Sequence, residues 1–186
     1  MVLTDSNYKT LGKGDIAPNF SLKGTDDKTY TLENFKDAKA ILIVFMCNHC
    51  PYVIPKLPEL KRIQKDFQDK GLVVIGINPN NAKDYPDDSF LNMKKIVSEM
   101  RFNFLYLRDE TQETAKEYGA VCTPDPFLFD CNKRLIYHGR LDDTHGDTPA
   151  KEHEMYEIIN KYLLENDIPN HEEPSRGCSI KWLYDE

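Results

Sequence analysis

Ala40-Ile41-Leu42-Ile43-Val44-Phe45-Met46 runs without a break into Cys47-Asn48-His49-Cys50-Pro51-Tyr52. The first seven residues are apolar and of strand length, the pattern of a strand with both faces covered. Past the second cysteine, Val53, Leu57, Leu60, Ile63 and Phe67 recur at three- and four-residue steps, which predicts a helix from about Cys50 to Lys70. Two cysteines separated by two residues therefore stand at a strand-to-helix junction. The first turn of a helix carries unpaired N–H groups and a partial positive charge. Both stabilise a thiolate, the nucleophile of disulfide exchange. The spacing also lets the second thiol attack a mixed disulfide formed by the first, so the pair reads as a redox dithiol. The competing reading is half of a zinc site, but Cys122, Cys131 and Cys178 fall at no familiar zinc spacing. Pro51 fits a first helical turn; Pro55 and Pro58 each remove a donor and are expected to bend the helix.

On the N-terminal side, residues 1–13 read as a mobile arm. An extended segment from Gly14 to Leu22, a turn over Gly24–Lys28 and a return through Thr29–Leu32 predict a hairpin. On the C-terminal side, Gly71 is a helix stop, and Leu72–Ile77 is a second buried strand. A helix over Asp88–Met100, a strand over Phe104–Leu107 and a short helix over Thr111–Tyr118 follow. Phe127–Phe129 and Leu135–Tyr137 flank the turn Asp130-Cys131-Asn132-Lys133, a hairpin pattern, and Lys151–Glu165 is a last amphipathic helix. Strands alternating with helices predict a three-layer α/β/α domain, and the closing hairpin makes its central sheet mixed. The expected organisation is an arm at 1–13, one domain at 14–165, and a C-terminal tail at 166–186. In that tail Cys178, Ile180, Trp182 and Leu183 form an apolar island after a polar linker. The island holds the single Trp of the chain, and it is expected to dock on the domain.

Composition narrows the function. With 186 residues the chain has room for a sizeable core. A net charge of -7 without a basic cluster argues against nucleic acid or an anionic membrane as partner. No apolar run approaches the ~18 residues of a membrane span, and no secretory leader is evident near Met1, so a cytoplasmic setting is expected. Five cysteines, an odd number, suit catalytic or metal-binding thiols in a reducing compartment better than a disulfide scaffold.

The chain resembles the thioredoxin superfamily and, within it, the alkyl hydroperoxide reductase/thiol-specific antioxidant branch of redoxin-like proteins. Four pieces carry the likeness: Gly14-x-x-Ala17-Pro18-x-Phe20-x-Leu22, the Cys47-Asn48-His49-Cys50 dithiol, Pro55, and Thr123-Pro124 ahead of the strand Phe127–Phe129. Together they span roughly residues 12–165. The resemblance implies that Cys47 is the exposed attacking thiol and Cys50 the buried resolving one. It also implies that Pro124 is cis and faces the dithiol, with Thr123 presenting backbone groups to substrate. Two departures stand out. Met46 stands where thioredoxins have Trp, and Ile41–Phe45 contains no carboxylate, so the proton acceptor is open.

His49, if protonated, would lower the pKa of Cys47; a solvated loop histidine is the other reading. Cys122 is either a redox neighbour or a small buried residue, and Cys131 lies in a turn. Cys178 is either a second resolving thiol or a passive residue under the docked tail. Asp142-Asp143-Thr144-His145-Gly146-Asp147 has metal-capable side chains at no metal-loop spacing and reads as a polar loop.

The expected function is a thiol-disulfide oxidoreductase. It would act on disulfide-containing proteins or on small thiol or peroxide substrates, with an external reductant (a thiol or a thioredoxin-reductase-like protein) and no cofactor or metal. A thiol peroxidase is the alternative. Aligning Cys50 with that branch's peroxidatic cysteine, in Pro-x-x-x-Thr-x-x-Cys, puts Cys47 at the Thr position and Ile43 at the Pro position. A metal-binding chaperone is a third reading.

Overall fold

The computed structural model of the protein describes residues 3–6, 10–144, 149–168 and 170–183. Strand β1 covers Leu3–Asp5, β2 Leu22–Gly24, β3 Thr29–Tyr30, β4 Ala40–Phe45, β5 Leu72–Asn78 and β6 Leu105–Arg108. Strand β7 covers Cys122–Thr123, β8 Asp125–Asp130, β9 Leu135–His138 and β10 Arg176–Ser179. Helix α1 spans Leu57–Phe67, α2 Phe90–Glu99, α3 Glu113–Tyr118 and α4 Glu154–Glu165.

The central sheet has the order β3-β2-β6-β5-β4-β8-β9. Strands β4, β5 and β6 are parallel, and the remaining neighbours are antiparallel, so the sheet is mixed. β4 lies inside it and is buried at every position. Successive side chains of a strand face opposite ways. Leu42, Val44 and Met46 accordingly enter one apolar cluster with α1, α2 and α4. Ile41, Ile43 and Phe45 enter a second with α3, the N-terminal segment, Ile180 and Trp182. The continuous apolar run is thus the signature of two covers. In α1, Leu57, Leu60, Ile63 and Phe67 form the buried stripe, each contributing ~1.5–3 kcal/mol of burial.

The helix after the dithiol differs from the expected one. Cys50–Val53 is a turn, Ile54–Lys56 a 3-10 turn, and the α-helix begins only at Leu57. Proline lacks an N–H and is tolerated where no intrahelical donor is needed. Pro55 and Pro58 each occupy the opening turn of their segment, so they start the helix in two steps and do not bend it.

A second sheet of three strands, ordered β1-β10-β7, is built from both ends of the chain. Leu3–Asp5, inside the expected mobile arm, is a strand against β10. β10 in turn pairs antiparallel with β7, placing Cys178 opposite Thr123 and Ser179 opposite Cys122. Gly177 makes this approach possible: a Cβ there would lie 2.1 Å from the Thr123 carbonyl oxygen.

Candidate active site

The register of the sheet assembles the site. β4 and β8 run antiparallel with Phe45 opposite Asp125, so two residues beyond each strand end bring Cys47 and Thr123 together. The Thr123–Pro124 peptide bond is cis. Cys47 Sγ lies 3.4 Å from Thr123 Oγ1, and Cys50 Sγ lies 3.4 Å from the Thr123 carbonyl oxygen. Met46 N–H continues the ladder onto Ile77, which sets the dithiol loop at the carboxyl ends of the parallel strands. Ligand sites of open α/β sheets favour that edge.

Neither sulfur is exposed; Cys47 and Cys50 are each 2% accessible. The expectation of an exposed Cys47 with a lowered pKa is reversed. The two thiols share a hydrogen bond, and the Cys47 thiol is pushed well above its ordinary range by that bond, by burial and by the Asp88 charge. Cys50 is drawn down to about 5, first by the Cys47 hydrogen bond, then against burial by Cys178, the Tyr52 N–H and Thr123. The two shifts run in opposite directions, Cys47 up and Cys50 down. The Asp88 carboxylate opposes an anion at Cys47, whereas Cys178, the Tyr52 N–H and Thr123 favour one at Cys50. The N–H donor comes from the turn at Tyr52, not from a helix end.

Asp88 is the residue that sequence reasoning missed. It is fully buried and accepts from Asn48 N–H at 2.8 Å, Asn78 Nδ2 at 3.1 Å and Asn80 Nδ2 at 2.8 Å. Tyr106 Oη donates to Asn48 Oδ1 at 2.8 Å, and Asn78 Nδ2 donates to Tyr106 Oη at 3.1 Å. This network ties the dithiol loop, through Asn48, to the ends of β5 and β6. β4 holds no carboxylate, and the buried one beside the dithiol loop comes from the turn ahead of α2. The loop Asn78-Pro79-Asn80-Asn81 was its signal: a run of amides at a strand's carboxyl end suits holding a buried carboxylate. His49 Nδ1 lies 3.3 Å from Asp88 Oδ2, so its charge partner is that carboxylate.

The other candidates are placed as follows. Cys178 is buried beside Cys50 and shares a side-chain hydrogen bond with it; burial and then Cys50 push its thiol up to about 12. Cys122 points to the Pro124 carbonyl at 3.6 Å, and burial pushes it up, so it stays a thiol. Cys131 is exposed in its turn. In the Asp142–Asp147 loop, the Asp142 carboxylate pairs with buried Lys56, while His145, Gly146 and Asp147 lie outside the described residues. Among the described residues, no group of three or more His, Cys, Asp or Glu could hold a metal ion, and no helix is long and apolar enough to cross a membrane.

Behind Pro124 a further polar cluster fastens the second sheet. Ser6 Oγ donates to Asp125 Oδ1 at 2.7 Å, and His138 Nε2 lies 2.7 Å from both. Ser175 Oγ donates to the Pro124 carbonyl at 2.6 Å. A cavity of about 160 Å³ opens beside Tyr52 and Pro124, lined also by Lys56, Arg140, Asp142 and Arg176.

The AhpC/TSA family model matches residues 13–138. The structure of an uncharacterized conserved protein from Geobacillus kaustophilus is 40% identical, with a TM-score of 0.91, and the match covers 100% of this chain and 99% of that one. Thiol-disulfide oxidoreductase ResA of Bacillus cereus is 24% identical over 139 residues, 75% of this chain and 76% of its own length. Chloroplastic peroxiredoxin Q of Triticum aestivum is 28% identical over 109 residues, 59% of this chain and 46% of its own length.

Proposed function

We propose, from the premise that the chain belongs to the AhpC/TSA family and has the thioredoxin fold of that superfamily, that Cys47 and Cys50 are the redox couple of a thiol-disulfide oxidoreductase. The observation that carries this reading is the placement of both sulfurs against one residue, Cys47 Sγ 3.4 Å from the Thr123 hydroxyl and Cys50 Sγ 3.4 Å from its carbonyl oxygen. Cys50 thiolate attacks one sulfur of a substrate disulfide, and the other sulfur departs as a thiolate that takes up a proton. Cys47 then attacks the Cys50 sulfur of the mixed disulfide. Its proton passes to the departing substrate thiol, leaving Cys47–Cys50 oxidised. Two electrons have moved from the dithiol to the substrate, so a separate reductant must restore it and no bound cofactor enters. Asp88, whose charge acts on Cys47, is proposed to relay that proton from Cys47 to the departing substrate sulfur.

Thr123 and Pro124 are proposed as the substrate-facing pair. His49 is proposed as the partner that balances Asp88, indirect in its effect on the sulfurs. Residues 14–165 form the redox domain in this reading, and the tail from 166 covers it. Because β10 already fills the free edge of β7, small disulfides fit the site better than an added protein strand. Five free cysteines, one of them exposed, suit a reducing compartment, so the cytoplasm is the proposed setting.

Peroxide reduction is the second reading, favoured by one observation: the thiol drawn down to about 5 is Cys50, the position that aligns with a peroxidatic cysteine. Two assays separate the readings. Reduction of oxidised glutathione or insulin disulfides should fall to background in Cys50→Ser; equal rates in the variant and the wild type would remove the first reading. Stopped-flow oxidation by hydrogen peroxide should be no faster than a free thiol's if disulfides are the substrate.

A further inference from the structure

We propose that Cys178 is a second resolving thiol for Cys50, so that Cys50 is the central sulfur between two alternative disulfides. The inference rests on the proposed Cys47–Cys50 couple and extends it to the tail.

Strand register places the third sulfur. Cys178 stands opposite Thr123, the residue against which both dithiol sulfurs lie. Its thiol lies beside Cys50, and all three thiols belong to one buried cluster. The placement is fixed from both sides. Ser175 Oγ holds the Pro124 carbonyl, Ile180 N–H donates to the Val121 carbonyl at 3.1 Å, and Leu3 flanks Cys178 on β1. Gly177 lets the strand lie this close, since any side chain would meet the Thr123 backbone. A thiol that only plugged a groove would not require its strand to be seated against the redox loop.

The chemistry closes without a further reagent. In a mixed disulfide at Cys50, the Cys178 sulfur attacks the Cys50 sulfur, the bond to the substrate sulfur breaks, and the Cys178 proton leaves with the substrate thiol. In the oxidised protein, the same attack breaks Cys47–Cys50, forms Cys50–Cys178 and returns the proton to Cys47. Neither step changes the count of electrons.

The experiment uses the full chain and oxidised glutathione as probe. Cys47→Ser and Cys47→Ala are each oxidised, quenched in acid, alkylated and mapped without reduction; the second variant guards against an effect particular to serine. The expected product is a Cys50–Cys178 disulfide with two glutathione thiols released and no adduct retained. Cys47→Ser/Cys178→Ser should instead keep a stoichiometric glutathione adduct on Cys50. A lasting adduct on Cys50 in the single variants, with Cys178 still alkylated, overturns the inference. So does an unreacted Cys50 where the wild type reacts. The wild type reads the underlying couple separately: absence of a Cys47–Cys50 disulfide refutes the proposed function, whereas its formation beside a permanently free Cys178 refutes the second resolving thiol alone.

Discussion

Asp88→Asn tests how the buried carboxylate acts on the dithiol. One oxygen accepts from Asn48 N–H and Asn78 Nδ2, and the other from Asn80 Nδ2. An amide in the same place keeps one acceptor and turns an NH2 group toward Asn80, which is itself a donor. Hydrogen bonds to a charged group contribute about 1.5–3 kcal/mol and neutral ones about 1. One bond is lost and two are weakened, which is offset in part because no charge is buried any longer. The net loss should be about 2–4 kcal/mol, a fall in Tm of roughly 5–15 °C for a chain of this size. Removing the charge also acts on Cys47. Its thiol is held up by the Cys50 hydrogen bond, by burial and by Asp88, so a Cys50→Ser background isolates the carboxylate's part. In that background, Asp88→Asn should move the pH profile of Cys47 alkylation to lower pH, read as the iodoacetamide rate on the Cys47 peptide. Urea unfolding gives the stability. An unmoved or rising profile in a folded protein would refute the electrostatic role, and a loss below ~1 kcal/mol would refute the network.

Four further outcomes are expected. Gly177→Ala forces a Cβ to within 2.1 Å of the Thr123 carbonyl oxygen, so β10 must lift at a cost of about 1–3 kcal/mol; the fluorescence of Trp182 should shift to the red and Cys178 should become alkylatable. Because Cys50 titrates at about 5 and Cys47 far higher, the reduced pair carries one proton across neutral pH. Its reduction potential, from a glutathione titration between pH 6 and 8, should fall by roughly 30 mV per pH unit; twice that slope would mean two protonated thiols. The same shift makes the reduced fold lose support as the pH drops. Cys50's contribution is complete above its unfolded value of 9.0 and fades toward about 5, so the reduced protein should lose stability relative to the oxidised one through that window. Lys56→Met leaves buried Asp142 without its ammonium partner and should cost about 3–5 kcal/mol in urea unfolding, with Lys56→Met/Asp142→Leu recovering most of it.

The sheet was legible because its evidence is local. The run from Ala40 to Met46 shows both covers in its alternate residues, and the hairpin at Asp130–Lys133 shows its turn. The resemblance placed Thr123-Pro124 correctly beside the thiols, which the β4–β8 register explains. A local reading of the dithiol could weigh only His49 and an assumed helix end. Other groups that bear on the two thiols arrive from afar: Asp88 from the turn before α2, and Cys178 from a strand 128 residues beyond Cys50. The prolines misled in the same way. Periodicity through Val53 and Leu57 marks one buried face, yet it does not say whether the backbone carrying it is already α-helical. The Ser6–Asp125–His138 cluster was invisible for a related reason, since two of its members sit on β8 and β9 and the third just past β1, segments that only the fold brings together.

The β1-β10-β7 sheet also gives the site a history. A ribosome delivers the chain from its N-terminus at about 5–20 residues per second. After His138, the last residue of the central sheet, is added, the 45 residues to Leu183 take roughly 2–9 s more. Through that interval Cys47 and Cys50 can already stand at the end of β4 while Gly177 and Cys178 have not been made. Until Arg176–Ser179 has been made, the β7 edge has no β10 to pair with and Cys50 has no third thiol beside it.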